Sequence, residues 1–318
     1  MTIEIAGLTK RYGDKVAVND LSFTIRPGRV TGFLGPNGAG KTTTMRLILG
    51  LDYPSAGSVT VNGRPYPELT SPMSEVGALL DAKAVHGGRS AYNHLLCLAQ
   101  TNGIPNRRVD EVLGIVGLTD VARKRSKGFS LGMSQRLGIA ATLLGDPEIL
   151  MFDEPVNGLD PEGILWIRNL MKNLAAQGRT VFVSSHLMSE MGNTADHLIV
   201  IGRGKLTADC TVAEFIERNS QRSVRVRTPQ PAALAKAVGA AGGSVRDEGS
   251  GQLTVFGLGT DRVGDLAFDS GVRLHELAPA QASLEQAFME MTAASVEFRA
   301  GQPPEPRHNQ QVLTGNGT

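Results

Sequence analysis

Gly35-Pro36-Asn37-Gly38-Ala39-Gly40-Lys41-Thr42 has the spacing G-x-x-x-x-G-K-[ST], which suits the cradling of a triphosphate. Glycines let the backbone curl so that successive N–H groups point at phosphate oxygens. A helix opening at the end of the loop adds its positive N-terminal end. Lys41 would reach the β- and γ-phosphates, the Thr42 hydroxyl would ligate Mg2+, and Thr43 completes the nucleotide-binding set. A second stretch, Ile149-Leu150-Met151-Phe152-Asp153-Glu154, is an apolar run that delivers two acids at its end. In a doubly wound sheet, ligands bind at the C-terminal edge of the strands. Asp153 there suits a Mg2+ ligand, usually through water. Glu154 suits a general base that polarises an attacking water.

Elements must hold these groups in place. Residues 29–34 read as a buried strand into the loop, and residues 43–49 as the helix out of it. Residues 2–6, 21–25 and 58–61 are short β-type runs, with turn signals such as Asn62-Gly63 beside them. Residues 92–100 and 109–116 show apolar spacing of about 3.6. Residues 148–152 then read as a buried strand, 163–177 as a helix and 180–184 as another strand. Strands alternating with helices predict an α/β fold with a largely parallel sheet. Near residue 220 the character changes. Strands at 223–227, 244–246, 252–256 and 272–277, with helices at 231–241 and 262–268, give the order β-α-β-β-α-β of a small ferredoxin-like unit. An amphipathic helix at 282–292 follows, and the Pro-, Gln- and Asn-rich tail from residue 301 is expected to be disordered.

Bulk properties narrow the class. A chain of 318 residues can hold two domains. Lys and Arg number 32 against 31 Asp and Glu, a net charge of +1, which argues against a nucleic-acid partner. Cys97 and Cys210 form neither a zinc pattern nor a disulfide framework, which suits a reducing cytosol. The N-terminus lacks a secretory core, and no apolar run approaches the roughly 20 residues of a membrane helix. Any membrane-spanning step is therefore expected from another chain.

Phe129-Ser130-Leu131-Gly132-Met133 lies just ahead of a helix and of the acidic strand. In order with the other two stretches, it resembles the L-S-G-G-Q signature of the ATP-binding cassette (ABC) ATPases. Ser130 and Gly132 match; Leu131 and Met133 depart. The chain is similar to the nucleotide-binding subunits of ABC transporters over about residues 2–295, most strongly from Tyr12 to His186. The resemblance implies an α/β P-loop NTPase of ABC type: a β-subdomain, a RecA-like core, and a helical subdomain at about 83–145 within an ATP-binding domain at 1–218. An accessory α+β domain would span 220–297, and a tail 298–318.

In that family Tyr12 occupies the place of the aromatic that stacks on adenine, Asp160 that of a loop crossing a dimer interface, and His186 that of the switch histidine on the γ-phosphate. Asp81, after the strand-like run 76–80, stands where the family carries glutamine, and it would add a carboxylate to the metal site. The acid at this place, the altered signature and the small C-terminal domain resemble bacterial drug and antibiotic-resistance exporters of the bacitracin and daunorubicin type. The implied assembly is a homodimer or heterodimer of nucleotide-binding subunits holding ATP and Mg2+. It would work with a separate transmembrane permease, on the inner face of the cell membrane. The rival expectation is a soluble ABC ATPase acting on a macromolecular partner, although such proteins generally carry tandem cassettes or long insertions.

Overall fold

The structure is a computed structural model that describes residues 1–81, 84–219, 223–280 and 283–293, with the backbone alone at 290, 292 and 293. In chain order, the first part contains β1 (Ile3–Tyr12), β2 (Lys15–Ile25), β3 (Arg29–Leu34), α1 (Lys41–Ile48), β4 (Ala56–Val61), α2 (Pro72–Glu75), β5 (Val76–Leu79) and α3 (Ala91–Thr101). It continues with α4 (Arg107–Ile115), α5 (Leu131–Leu143), β6 (Ile149–Asp153), α6 (Pro161–Ala176), β7 (Thr180–Ser185), α7 (Met188–Thr194), β8 (His197–Gly202), β9 (Lys205–Thr211) and α8 (Val212–Asn219).

The large sheet runs β5-β6-β7-β3-β8-β9. It is parallel up to β8, and β9 folds back antiparallel on β8. Parallel strands covered on both faces read as continuous apolar runs, and alternation divides them between two cores. Val30, Leu34, Leu150, Phe152, Val181 and Val183 face the core built with α3 to α6. Phe33, Ile149, Met151, Phe182 and Ile199 face the core built with α1, β1 and β2. The second core holds three tilted rings, with Phe33 5.1 Å from Phe182 and 5.8 Å from Phe23. Such pairs add about 0.5–1.5 kcal/mol each beyond area burial. They lock a small antiparallel sheet, β2-β1-β4, onto the large one.

Two expectations need correction here. β1 and β2 run ten and eleven residues, well past the short runs read from sequence. Their outer ends carry polar residues, and cross-strand pairing from Tyr12 to Lys15 sustains them instead of burial. The β8–β9 hairpin went unread, so the largely parallel sheet has an antiparallel edge.

The C-terminal part comprises β10 (Ser223–Arg227), α9 (Pro231–Ala240), β11 (Ser244–Gly249), β12 (Gln252–Phe256), α10 (Thr260–Asp269) and β13 (Glu276–Ala280). Its sheet is ordered β11-β12-β10-β13 with antiparallel pairs, over a separate core that includes Val224, Leu234, Val255 and Val263. The strand expected at 272–277 lies later, at Glu276–Ala280, because Val272 is drawn into that core. Pro279 is tolerated in β13 because that strand is a sheet edge.

A last helix, α11 (Leu284–Ala293), starts at a reciprocal cap. Gln286 N donates to Ser283 Oγ at 3.1 Å, and Ser283 N to Gln286 Oε1 at 3.0 Å. This helix leaves its own sheet and packs on α7 and α8. The tail from residue 301 lies outside the described residues.

Candidate functional site

The loop from Gly35 to Gly40 joins the end of β3 to the start of α1, so the helix N-terminus opens on the loop. Gly38 and Gly40 adopt φ of 79° and 107°. A Cβ on Gly40 would lie 2.5 Å from the Ala17 carbonyl oxygen, so glycine is required there on both counts. Ala39 N donates to Pro36 O at 3.1 Å, which closes the turn.

Lys41 is only 7% exposed. Its Nζ donates to Gly35 O at 2.7 Å and lies 3.8 Å from Glu154 Oε1. Burial pushes its ammonium below the ordinary lysine value, and the Glu154 and Asp153 carboxylates pull it back up.

The acids stand at the end of β6, beside that loop. Thr42 Oγ1 donates to Asp153 Oδ2 at 2.6 Å. The Ser184 hydroxyl donates to the other Asp153 oxygen, and Ser184 Oγ accepts from Glu154 N at 3.1 Å. Ser184 was not singled out from the sequence. Only the parallel register, which sets Asp153 opposite Ser184, brings it in. Glu154 has φ +52°, a left-handed conformation uncommon for a residue with a side chain. Its Oε2 meets His186 Nδ1 at 2.7 Å. Glu154 thus stands between Lys41 and His186.

A cavity of about 340 Å³ opens over this cluster, lined by Tyr12, Asn37, Gly38, Gly40, Lys41, Thr42, Thr43 and Glu154, with Lys15 and Ala17. Tyr12 forms its outer wall at 47% exposure. Its hydroxyl donates to Asp52 Oδ2 at 3.0 Å, and the same oxygen takes Arg46 Nε at 2.7 Å. Partial burial and then Asp52 push the phenol up, which keeps it protonated as the donor. Arg46 holds the Asp52 carboxyl below its usual range. Asp52 also went unread, because nothing local links it to Tyr12.

The other residues read from sequence lie elsewhere. Ser130 caps α5, accepting from Met133 N at 3.2 Å. Asp160 caps α6, accepting from Gly163 N at 2.9 Å. The two helix starts interlock. The Leu131 side chain covers Gly158, and a Cβ on Gly132 would sit 3.2 Å from the Gly158 carbonyl. Neither Ser130 nor Asp160 lines the cavity over the phosphate loop. Gln135 Nε2 links α5 to the acidic turn, donating to Pro155 O at 2.9 Å. Asp81, at the end of β5, lines a different cavity of about 530 Å³ between β5 and α3, with Leu80, Ala84, Val85 and His94.

A family model described as ABC transporter matches residues 18–157, and a domain of unknown function matches residues 222–285. An uncharacterized ABC transporter ATP-binding protein of Bacillus subtilis is 38% identical over 307 residues, 93% of this chain and 97% of the relative. The chain belongs to the ABC transporter ATP-binding proteins. The bacitracin transport ATP-binding protein BcrA of Enterococcus faecalis is 40% identical over 220 residues, covering 68% of this chain and 71% of that one. The fold is shared with the ATP-binding cassette MJ0796, a dimeric post-hydrolysis state bound to ADP and Pi. The TM-score is 0.61 at 22% identity, over 66% of this chain and 98% of that one. This ABC ATPase binds ATP and hydrolyses it, and Lys41, Thr42, Asp153 and Glu154 come together where the loop after β3 meets the end of β6. Among the described residues of the ATPase, no helix is long and apolar enough to cross a membrane.

Proposed function

We propose that this ATPase powers the export of a drug or other small hydrophobic compound through a separate permease. It would sit on the inner face of the cell membrane and close as a dimer around two ATP. The observation that carries the reading is Glu154, held between Lys41 and His186 at the floor of the cavity over the phosphate loop. The bacitracin transport relative supports the cargo class. For this reading the chain divides into an ATP-binding domain at 1–218, with a helical part near 83–145 whose stretch near 83–125 grips the permease, and an accessory ferredoxin-like domain at 220–297.

The residues fit a Mg2+ ion. Thr42 and Asp153 bring hard oxygen donors within 2.6 Å of each other, a donor set suited to that cation. Bound there, Mg2+ would offset charge on the β- and γ-phosphates. Lys41 and the loop N–H groups hold the phosphates, and Tyr12 stacks on the base. Glu154 takes a proton from the attacking water, and His186 orients the γ-phosphate. Ser130 and Asp160, on a separate surface, meet the nucleotide of the second subunit. Asp81 lines the cavity beside the helical part, which gives it a role in coupling to the permease as much as in metal binding.

Replacing Glu154 by Gln keeps the shape and removes the base. ATP binding should stay within about twofold, while turnover falls by about 10²-fold or more. Turnover near the native rate in Glu154→Gln would remove the assignment of the base.

A further inference from the structure

The helix that ends the described chain belongs by sequence to the C-terminal part but by packing to the ATPase core. Leu284 and Ala287 of α11 are buried in the same core as Val183 and Leu198, with Phe288 packed against it. Its neighbours are α7 and α8. α7 begins two residues after His186, and it is confined on both sides. Towards the sheet, a Cβ on Gly32 of β3 would meet Met191 Sδ at 2.6 Å. Towards α11, a Cβ on Gly192 would meet the Leu284 Cβ at 3.4 Å.

His186 itself has a side chain 41% exposed, held on one side by Glu154. On the other side lies a cavity of about 290 Å³, walled by His186 to Ser189 across from Glu285, Phe288 and Met289.

We infer that α11 is a brace for the His186 segment, with Phe288 as its positioning residue, so that the C-terminal domain acts on ATP turnover through the histidine of its own chain. The inference rests on the reading of His186 as a γ-phosphate contact. A side chain in the two-residue link between a strand and a short helix keeps its direction only while that helix is held, and displacement by about 1 Å can cost up to about a hundredfold in rate.

The test is steady-state ATP hydrolysis by the full chain carrying Phe288→Ala, His186→Ala or both, with ATP affinity and thermal stability measured alongside. Phe288→Ala should lower kcat about tenfold with KM unchanged, and add nothing once His186 is alanine. Equal losses in the two backgrounds, or no loss at all, overturn the brace. His186→Ala by itself reports on the underlying reading. Native turnover in that variant removes the γ-phosphate role, and the brace with it, whereas a kcat loss there leaves the double variant to decide. Should Phe288→Ala fail to fold, Met289→Ala alters a side chain that is 59% exposed. It should lower kcat about threefold in the native background and not in His186→Ala; equal or absent effects again overturn the brace.

Discussion

Glu154 occupies a backbone conformation at φ +52° that costs about 1–3 kcal/mol for a residue with a side chain. The surrounding contacts hold it there. Ser184 accepts its amide hydrogen, and His186 and Lys41 flank its carboxylate. Glu154 is therefore aimed by three contacts at once.

Tyr12 is aimed differently, through one carboxylate oxygen of Asp52 that is shared with Arg46. Asp52→Asn should loosen the ring without touching the acids. The expected result is a KM for ATP raised about threefold at unchanged kcat, the worth of one neutral hydrogen bond. Steady-state kinetics against ATP concentration checks it.

At the scale of elements, β5 sits in close backbone contact with α5. A Cβ on Gly77 would approach the Thr142 carbonyl oxygen to 2.1 Å and Pro147 Cγ to 2.8 Å. Backbone cannot yield as a flexible side chain can. Gly77→Ala should therefore cost about 1–3 kcal/mol, read as a lower denaturant midpoint.

The elements also show what pattern reading sees. β3, β6 and β7 were legible because strands buried on both faces are continuous apolar runs. The outer halves of β1 and β2 were not, since pairing sustains them. His197-Leu198-Ile199-Val200-Ile201 is as apolar as β3 and could have been read. The Arg203-Gly204 turn behind it, with positive φ at both residues, marks the hairpin.

For the molecule as a whole, the interface between the sheet and the helical part carries a pH dependence. His94 of α3 lines the 530 Å³ cavity, and its Nδ1 is buried without a hydrogen-bond partner. Burial, then the Arg89 charge, hold its pKa below the ordinary 6.5. The folded chain thus keeps the ring neutral where the unfolded chain takes up a proton. This contribution to stability is complete above the unfolded pKa and is lost as pH falls through the lower folded one. The melting temperature of the native chain should fall between about pH 7.5 and about pH 5.5, and fall less in His94→Gln. Equal falls in the two proteins would assign the acid sensitivity elsewhere.

The sequence by itself determined the family, and with it ATP binding and hydrolysis: a loop with phosphate-cradling spacing, a signature-like stretch and an apolar run ending in two acids follow one another in one order. These are local facts, set by residue type and spacing. Tertiary structure decided what distant segments do to one another. The parallel register places Ser184 on Asp153, Asp52 reaches Tyr12 across forty residues, and the Leu131 side chain closes over Gly158. Above all it decided where α11 goes. An amphipathic helix announces an apolar face but does not name the surface that will cover it, and here that surface is the core beneath His186 and not the sheet from which the helix emerges.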